Sequence, residues 1–228
     1  MSRLLWIGAG FLVLILILYQ LWVLSHLVWW VSHNPSTSAF MDQRLGVLQE
    51  KNPGAELRHR WVSYDKISVH LKRAVIAAED AKFVDHEGFD WEGIQHAIEK
   101  NAKKGKIVAG GSTISQQLAK NLFLSGRRTP WRKAEEALIT LMLEHFMTKR
   151  RIYEIYLNVI EWGNGVFGAE AAARHYFKTS AGGLGKTQAA KLAAMVPNPR
   201  FYDAHRNTRY LNRRTATIQA RMRFVELP

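Results

Sequence analysis

Cysteine is absent from the 228 residues. That excludes disulfides, thiolate-bound zinc and iron–sulfur clusters, and leaves the folded part dependent on its core. Carboxylates are scarce: 19 Asp plus Glu stand against 32 Lys plus Arg, a formal charge of +13. Of these charges only Arg3 precedes residue 32, so +12 remains on the rest of the chain. Such a field attracts phosphate-bearing partners, whether nucleic acid, anionic lipid head groups or diphosphate substrates. No recognised nucleic-acid motif accompanies it, and charge alone is weak support for that partner. Alternating stretches are almost missing and no internal repeat is evident. Two near-motifs fail. Ser180 to Thr187 has Ser where a P-loop needs its first Gly, and Ser63 to Lys66 reads S-x-x-K with no K-T-G to follow. No carboxylate spacing compels a dedicated metal site.

What is present begins with a long apolar run. From Leu4 to Val31 only Gln20, Ser25 and His26 interrupt it, with Trp6 near one end and Trp29 and Trp30 near the other. Roughly 20 such residues span a bilayer, so the run reads as one transmembrane helix with interfacial tryptophans. It is too long for a signal peptide, and Thr37-Ser38-Ala39 is a poor cleavage site. Charge does not orient the span, because Arg3 and the amino terminus face only Arg44 and Lys51. The expected organisation is an anchor over 1–31, a polar linker with Pro35 over 32–39, and one domain over 40–228.

Within that domain helical spacing dominates. Helices are expected near 67–80, 90–104, 113–124, 131–148, 149–161, 166–177, 187–196 and 206–224, with a short helix over 40–49, a turn at 52–54 and a brief extended piece at 58–63. The fold class is mainly α.

Three stretches carry chemistry. Glu79 to Gly88, E-D-A-K-F-V-D-H-E-G, stands where a helix gives way to a turn, a place to hold a catalytic carboxylate. Taken alone, Glu79, Asp80, Asp85 and Glu87 are as readily a solvated acidic corner. Gly110 to Asn121, G-G-S-T-I-S-Q-Q-L-A-K-N, opens a helix with Ser112 as an N-cap or Thr113 and Gln116 as a capping box. Its Thr113, Gln116, Gln117 and Lys120 share one face, opposite Ile114, Leu118 and Leu122. In Arg127 to Glu136, R-R-T-P-W-R-K-A-E-E, four cations crowd a helix start, against the helix dipole, which calls for an anionic ligand. The helix that follows has no clean wet face and is expected to run through the core. Glu136 on its inner arc is then either paired with Arg132 at i−4 or poised for chemistry. The basic tail over 206–223 reads as a solvated helix, with a surface for anionic lipid as the second reading. Two carboxylates, several cations and neutral amides beside a membrane anchor suggest sugar chemistry on a lipid-borne phosphate. A diphosphate leaving group needs cations, and the opposite side needs a base to activate a hydroxyl.

These three stretches, together with Lys149 to Asn158, K-R-R-I-Y-E-I-Y-L-N, resemble four successive motifs of the peptidoglycan glycosyltransferases, glycosyltransferase family 51. The likeness runs from about residue 60 to residue 203, with M-V-P-N-P-R at 195–200 as a further family-like stretch. Lacking a transpeptidase module, the chain is similar to the monofunctional members from Gram-negative bacteria. The resemblance implies a lysozyme-like α lobe, a smaller membrane-proximal jaw, a single-pass inner-membrane anchor with a cytoplasmic N-terminus, and a periplasmic catalytic domain. It implies inverting transfer of a glycan on undecaprenyl diphosphate to the GlcNAc 4-hydroxyl of lipid II.

Position by position, the resemblance makes Glu79 the general base and Glu136 the second glutamate, orienting substrate, Arg132 or a divalent ion. Lys120 and Arg132 correspond to cations that hold the diphosphate, with Lys133 in the same site. Ser112, Thr113, Gln116, Gln117 and Asn121 match donor-site polar residues, and Asp80, Phe83, His86 and Gly88 shape the first motif. No cofactor is required by the sequence, though a divalent cation such as magnesium could bridge the diphosphate. Expected partners are lipid II, the nascent glycan, the membrane and other cell-wall or division proteins, not nucleic acid. Two departures from the family pattern stand out: Tyr153 where Leu is usual, and Lys178 after Phe177 where Gly is frequent. The rival readings are a lysozyme-like hydrolase and a non-enzymatic basic module tethered to the membrane.

Overall fold

A computed structural model describes residues 2–106, 110–126 and 129–228. Arg127 and Arg128, two of the four cations expected before Glu136, lie outside the described residues. The first helix, α1 (Ser2–Trp30), includes a stretch from Trp6 to Trp30 with mean hydropathy 2.4, long and apolar enough to cross a membrane. Most of it is exposed, but Val23 and Leu27 near its end are fully buried. There Trp22 and Trp30 pack on Phe123, with ring centroids 5.8 and 5.4 Å apart.

Helices α2 (Ala39–Gln49), α3 (Val69–Glu79), α4 (Trp91–Lys104), α5 (Ile114–Phe123), α6 (Pro130–Phe146) and α7 (Lys149–Val159) follow in order. The chain then folds a small sheet from β1 (Arg58–His59), β2 (Glu161–Gly163) and β3 (Val166–Phe167), in the order β1-β3-β2. Helices α8 (Ala169–Phe177), α9 (Lys186–Met195), α10 (Pro199–Ala204) and α11 (Arg209–Arg221) complete it.

Two helical groups make the core. Helix α9 lies between α3 and α11, and α5 lies against α6 and α7. Buried Ala189, Ala190, Ala193 and Ala194 give α9 a thin profile, so its neighbours approach closely. Helix α7 is buried along most of its length, and its aromatic residues are tied down by hydrogen bonds. The Tyr153 hydroxyl donates to the Lys72 carbonyl at 2.6 Å, which gives the tyrosine at this position its own partner. Asn158 exchanges hydrogen bonds of 2.9 Å with both backbone groups of Val62, standing in for a strand.

The mainly α class and most helix bounds agree with the sequence reading, and three local expectations do not. The region 161–167 forms a hairpin rather than the end and start of helices, because Asn164-Gly165 is a turn and Gly165 takes φ +70°. Gly168 is also constrained: at φ +82°, an added Cβ would meet the Asn158 carbonyl oxygen at 2.7 Å. Of the two caps that the sequence offers for α5, the structure forms the reciprocal box of Thr113 with Gln116. Helix α6 does not run through the core: it buries Glu136, Ile139, Thr140 and Leu143 but exposes Trp131, Leu138, Leu141 and Phe146. The tail is no free solvated helix either. Leu211, Thr215, Ile218 and Met222 recur at helical spacing and are buried, docking α11 against α3 and α9.

Lys178, at the end of α8, is the one non-glycine with positive φ among the described residues, at 56°. A left-handed backbone costs an L-residue about 1–2 kcal/mol, part of which glycine recovers. Lys178→Gly is therefore expected to stabilise the fold by about 1 kcal/mol, raising Tm by roughly 2–4 °C in a thermal melt.

Candidate active site

The junction between α3 and α5 builds the site. Glu79 is the last residue of α3 and Asp80 its C-cap. The Asp80 carboxylate accepts the Ile114 amide at 2.9 Å, one of the free donors at the start of α5, and lies 3.0 Å from His86 Nε2. Thr113 Oγ1 donates to the Gly88 carbonyl at 2.7 Å. Gly88 must be glycine: it sits at φ +88°, and a Cβ there would meet Thr140 Cγ2 at 2.8 Å. Phe83 is fully buried beneath the loop, 5.5 Å from the Tyr153 ring and under Lys149 Nζ at 4.7 Å. Asp80, Phe83, His86 and Gly88 are thus packed and hydrogen-bonded together around the loop that follows α3.

This frame leaves Glu79 buried with two different oxygens. Oε2 accepts from Gln117 Nε2 at 3.1 Å, and Gln117 Oε1 in turn accepts from the buried Tyr156 hydroxyl at 2.9 Å. Oε1 has no hydrogen-bond partner, and Arg214 Nη2 stands 3.5 Å away. Burial pushes the Glu79 carboxyl above the ordinary carboxylate range, and the Gln117 hydrogen bond and the Arg214 and Lys120 charges partly restrain it. Neither Tyr156 nor Arg214 was recognised as part of the site from the sequence. The signal for Arg214 was its place at i+3 from Leu211 and i−4 from Ile218, on the flank of the apolar stripe of α11.

Two clefts meet here. A small one of about 110 Å³ is lined by Glu79, Asp80, Asp90, Ser112 and Thr113. A larger one of about 750 Å³ is lined by Ser112, Gln116, Gln117, Lys120, Arg132 and Lys133, with Glu136 and Arg200 at its wall. Exposed Ser112 borders both. Lys120 makes no ion pair among the described residues, and its ammonium lies 5.6 Å from the Phe40 ring centroid. Burial lowers its pKa below the lysine value; Glu136 opposes that shift, and Arg132 and Lys133 add to it. Glu136 is buried, pairs with Arg132 Nη1 at 2.7 Å and also contacts Lys133 Nζ. Asn121 stands apart. It is buried, donates to the Gln117 carbonyl at 2.6 Å and lines neither cleft, so it supports the helix that carries Gln117 and Lys120.

The cationic cleft does not offer a good donor set for a divalent ion. Both Glu136 oxygens are engaged by cations, and among the described residues no group of three or more His, Asp or Glu is placed to hold a metal.

A buried carboxylate on one side and a cation-lined cleft on the other are the groups that transfer from an anionic leaving group to a hydroxyl requires. The family model described as Transglycosylase matches residues 46–223. The chain belongs to this family, the peptidoglycan glycosyltransferases its motifs resemble. It is 67% identical over 227 residues to the biosynthetic peptidoglycan transglycosylase of Methylobacillus flagellatus, covering 100% of this chain and 99% of that one. It is 68% identical to the protein of the same name from Chromobacterium violaceum, over the full length of both. A third, from Laribacter hongkongensis, is 68% identical over 97% of each chain.

A carboxyl whose pKa is raised by folding is protonated more readily in the folded than in the unfolded chain, so stability falls as pH rises from the ordinary glutamate value through the raised one. Glu79→Gln removes that loss. Thermal melts across pH are expected to show the variant gaining on the parent through this window, with the difference constant above it.

Proposed function

We propose that Glu79 is the general base of lipid II polymerisation in this peptidoglycan glycosyltransferase. The GlcNAc 4-hydroxyl of lipid II enters beside Glu79, its oxygen attacks the anomeric carbon of the glycan held on undecaprenyl diphosphate, and its proton passes to the Glu79 carboxylate. The bond from the anomeric carbon to the diphosphate oxygen breaks with inversion, and undecaprenyl diphosphate leaves as an anion. The observation that carries this reading is the shared wall at Ser112. It brings a buried carboxylate with an unpartnered oxygen next to a cleft lined by Lys120, Arg132 and Lys133.

Roles divide by what each group faces. Lys120, with no carboxylate partner in ion-pair range among the described residues, is the cation freest to meet the diphosphate. Arg132 and Lys133 share Glu136, which makes Glu136 a positioning residue: it holds the two cations in the cleft until the charge on the leaving group develops. Ser112, Gln116 and Gln117 supply hydroxyl and amide contacts to the donor sugar. Gln117 also relays the Tyr156 hydrogen bond to Glu79, so donor binding and base orientation share one side chain. Magnesium enters this scheme only as a counter-ion of the substrate diphosphate. The helix α1 anchors the chain in the inner membrane with its amino terminus cytoplasmic and the domain from residue 40 onward periplasmic. The apolar outer face of α6, beside α1, then belongs to a membrane-proximal jaw.

Purified Glu79→Gln protein is expected to make no polymer from lipid II while keeping a cooperative melt, and wild-type polymerisation by it would remove the base assignment. Lys120→Ala is expected to lose activity through weaker donor binding. Arg214→Gln takes a positive charge from beside Glu79 and so raises its pKa further. Because the base must be ionised, the acid limb of the kcat/KM profile should move to higher pH in that variant, and an unmoved limb would separate Arg214 from the base.

A further inference from the structure

Away from both clefts, β1 and α8 enclose a pocket of about 350 Å³ whose polar lining is entirely basic: Arg58, His59, Arg60, Arg174, His175 and Lys178, around Ala171. We propose that this pocket binds a phosphate group at a site separate from the catalytic centre.

Two rows of side chains converge on it. Arg58 and Arg60 are two apart on an extended segment and so share a face, while Ala171, Arg174, His175 and Lys178 follow the i, i+3, i+4, i+7 spacing of one helix face. Ala171 is small and buried, and it leaves room between the rows. Carboxylates do not line the space. The nearest partners are occupied: Glu170 pairs with Arg174 at 2.6 Å and accepts the Ala181 amide, and Asp203 lies 2.9 Å from His175 and 2.7 Å from Arg206. Arg58, Arg60 and Lys178 form no ion pair among the described residues. Arg58 Nη1 instead donates to His175 Nδ1 at 2.7 Å, which aims the guanidinium and leaves the ring proton on Nε2, toward Asp203.

Cations at the end of α8 have an ordinary explanation in the helix dipole, but that does not reach Arg58 and Arg60, which come from β1 and the residue just after it. Nor does it explain Lys178, which holds a left-handed backbone that glycine would adopt without strain. A lysine kept at a strained position, facing two arginines across an open pocket, fits an anion better than it fits fold stability. A single carboxylate would neutralise one of these charges. A phosphate presents several oxygens to two guanidinium forks and an ammonium, and it is the better match. The phosphate could come from a membrane lipid head group or from a soluble phosphate compound.

The test is calorimetric titration of inorganic pyrophosphate into the full chain held in phosphatidylcholine nanodiscs. Two sites are expected. Arg60→Gln combined with Lys178→Gly should weaken one of them by about tenfold or more while the melt rises or holds, and Lys120→Ala should weaken only the other. Repeating the titration in discs containing cardiolipin separates the sources: loss of the pocket's site means a lipid head group competes for it, and an unchanged titration means a soluble phosphate. One site only in the wild-type protein, or a double variant that titrates like wild type, overturns the proposal. If instead Lys120→Ala leaves both sites intact, the diphosphate role of the catalytic cleft fails while the β1–α8 pocket stands.

Discussion

The hydrogen bond from the Ile114 amide to the Asp80 carboxylate is the joint on which the site depends. It ends α3 and starts α5 at the same point, satisfying a donor that the first turn of a helix leaves free. Because Glu79 precedes Asp80 and Gln117 lies one turn into α5, that one contact sets the distance between the Glu79 carboxylate and the amide that donates to it. Gly88 and Thr113 close the other side of the loop, and Phe83 fills the space under it. The acids of the first motif therefore divide their work: Asp80 is spent on architecture, and Glu79 is left with an oxygen to use.

The electrostatics of the two clefts are opposite in kind. Around Glu79, burial opposes ionisation and is countered by the neutral chain from Tyr156 through Gln117 and by the Arg214 guanidinium at 3.5 Å. Around Lys120, burial and neighbouring cations oppose protonation, and Glu136 counters them. In each cleft burial shifts the key group's pKa toward its neutral form, and neighbouring groups of the opposite effect compensate in part. The two clefts, with these opposite electrostatics, share a wall at Ser112.

Much of this was legible before any coordinates. The carboxylate at a helix end, the amide face of α5 and the cations before Glu136 are local patterns, and short-range spacing is what a sequence displays directly. Contacts between distant segments were not. Arg214 lies in a stretch, 206–223, that carries six arginines, and nothing local marks the one that turns inward; only the docking of Leu211, Thr215 and Ile218 does. The hairpin at 161–167 was hidden because Ile160 and Trp162 continue a helical apolar rhythm up to the Asn164-Gly165 turn. Helix α6 misled for a different reason: an apolar outer face beside a membrane-length helix has the same composition as a helix buried in protein.

The way α1 ends has a consequence for how substrate is met. Val23, Leu27 and the Phe123 contact seat its last turns on the body, and Arg151 donates to the carbonyls of Trp30 and His33 and to Asn34 Oδ1. This is a rigid strut and not a leash. With α1 in a bilayer, the cleft sits at one height and one tilt above the head groups, fixed by side-chain packing. A lipid-linked sugar diffusing in the same leaflet then needs to find the enzyme only in two dimensions. The anchor, on this view, is a ruler that sets the encounter geometry, and its length and its last turn matter to the rate as much as its hydrophobicity does.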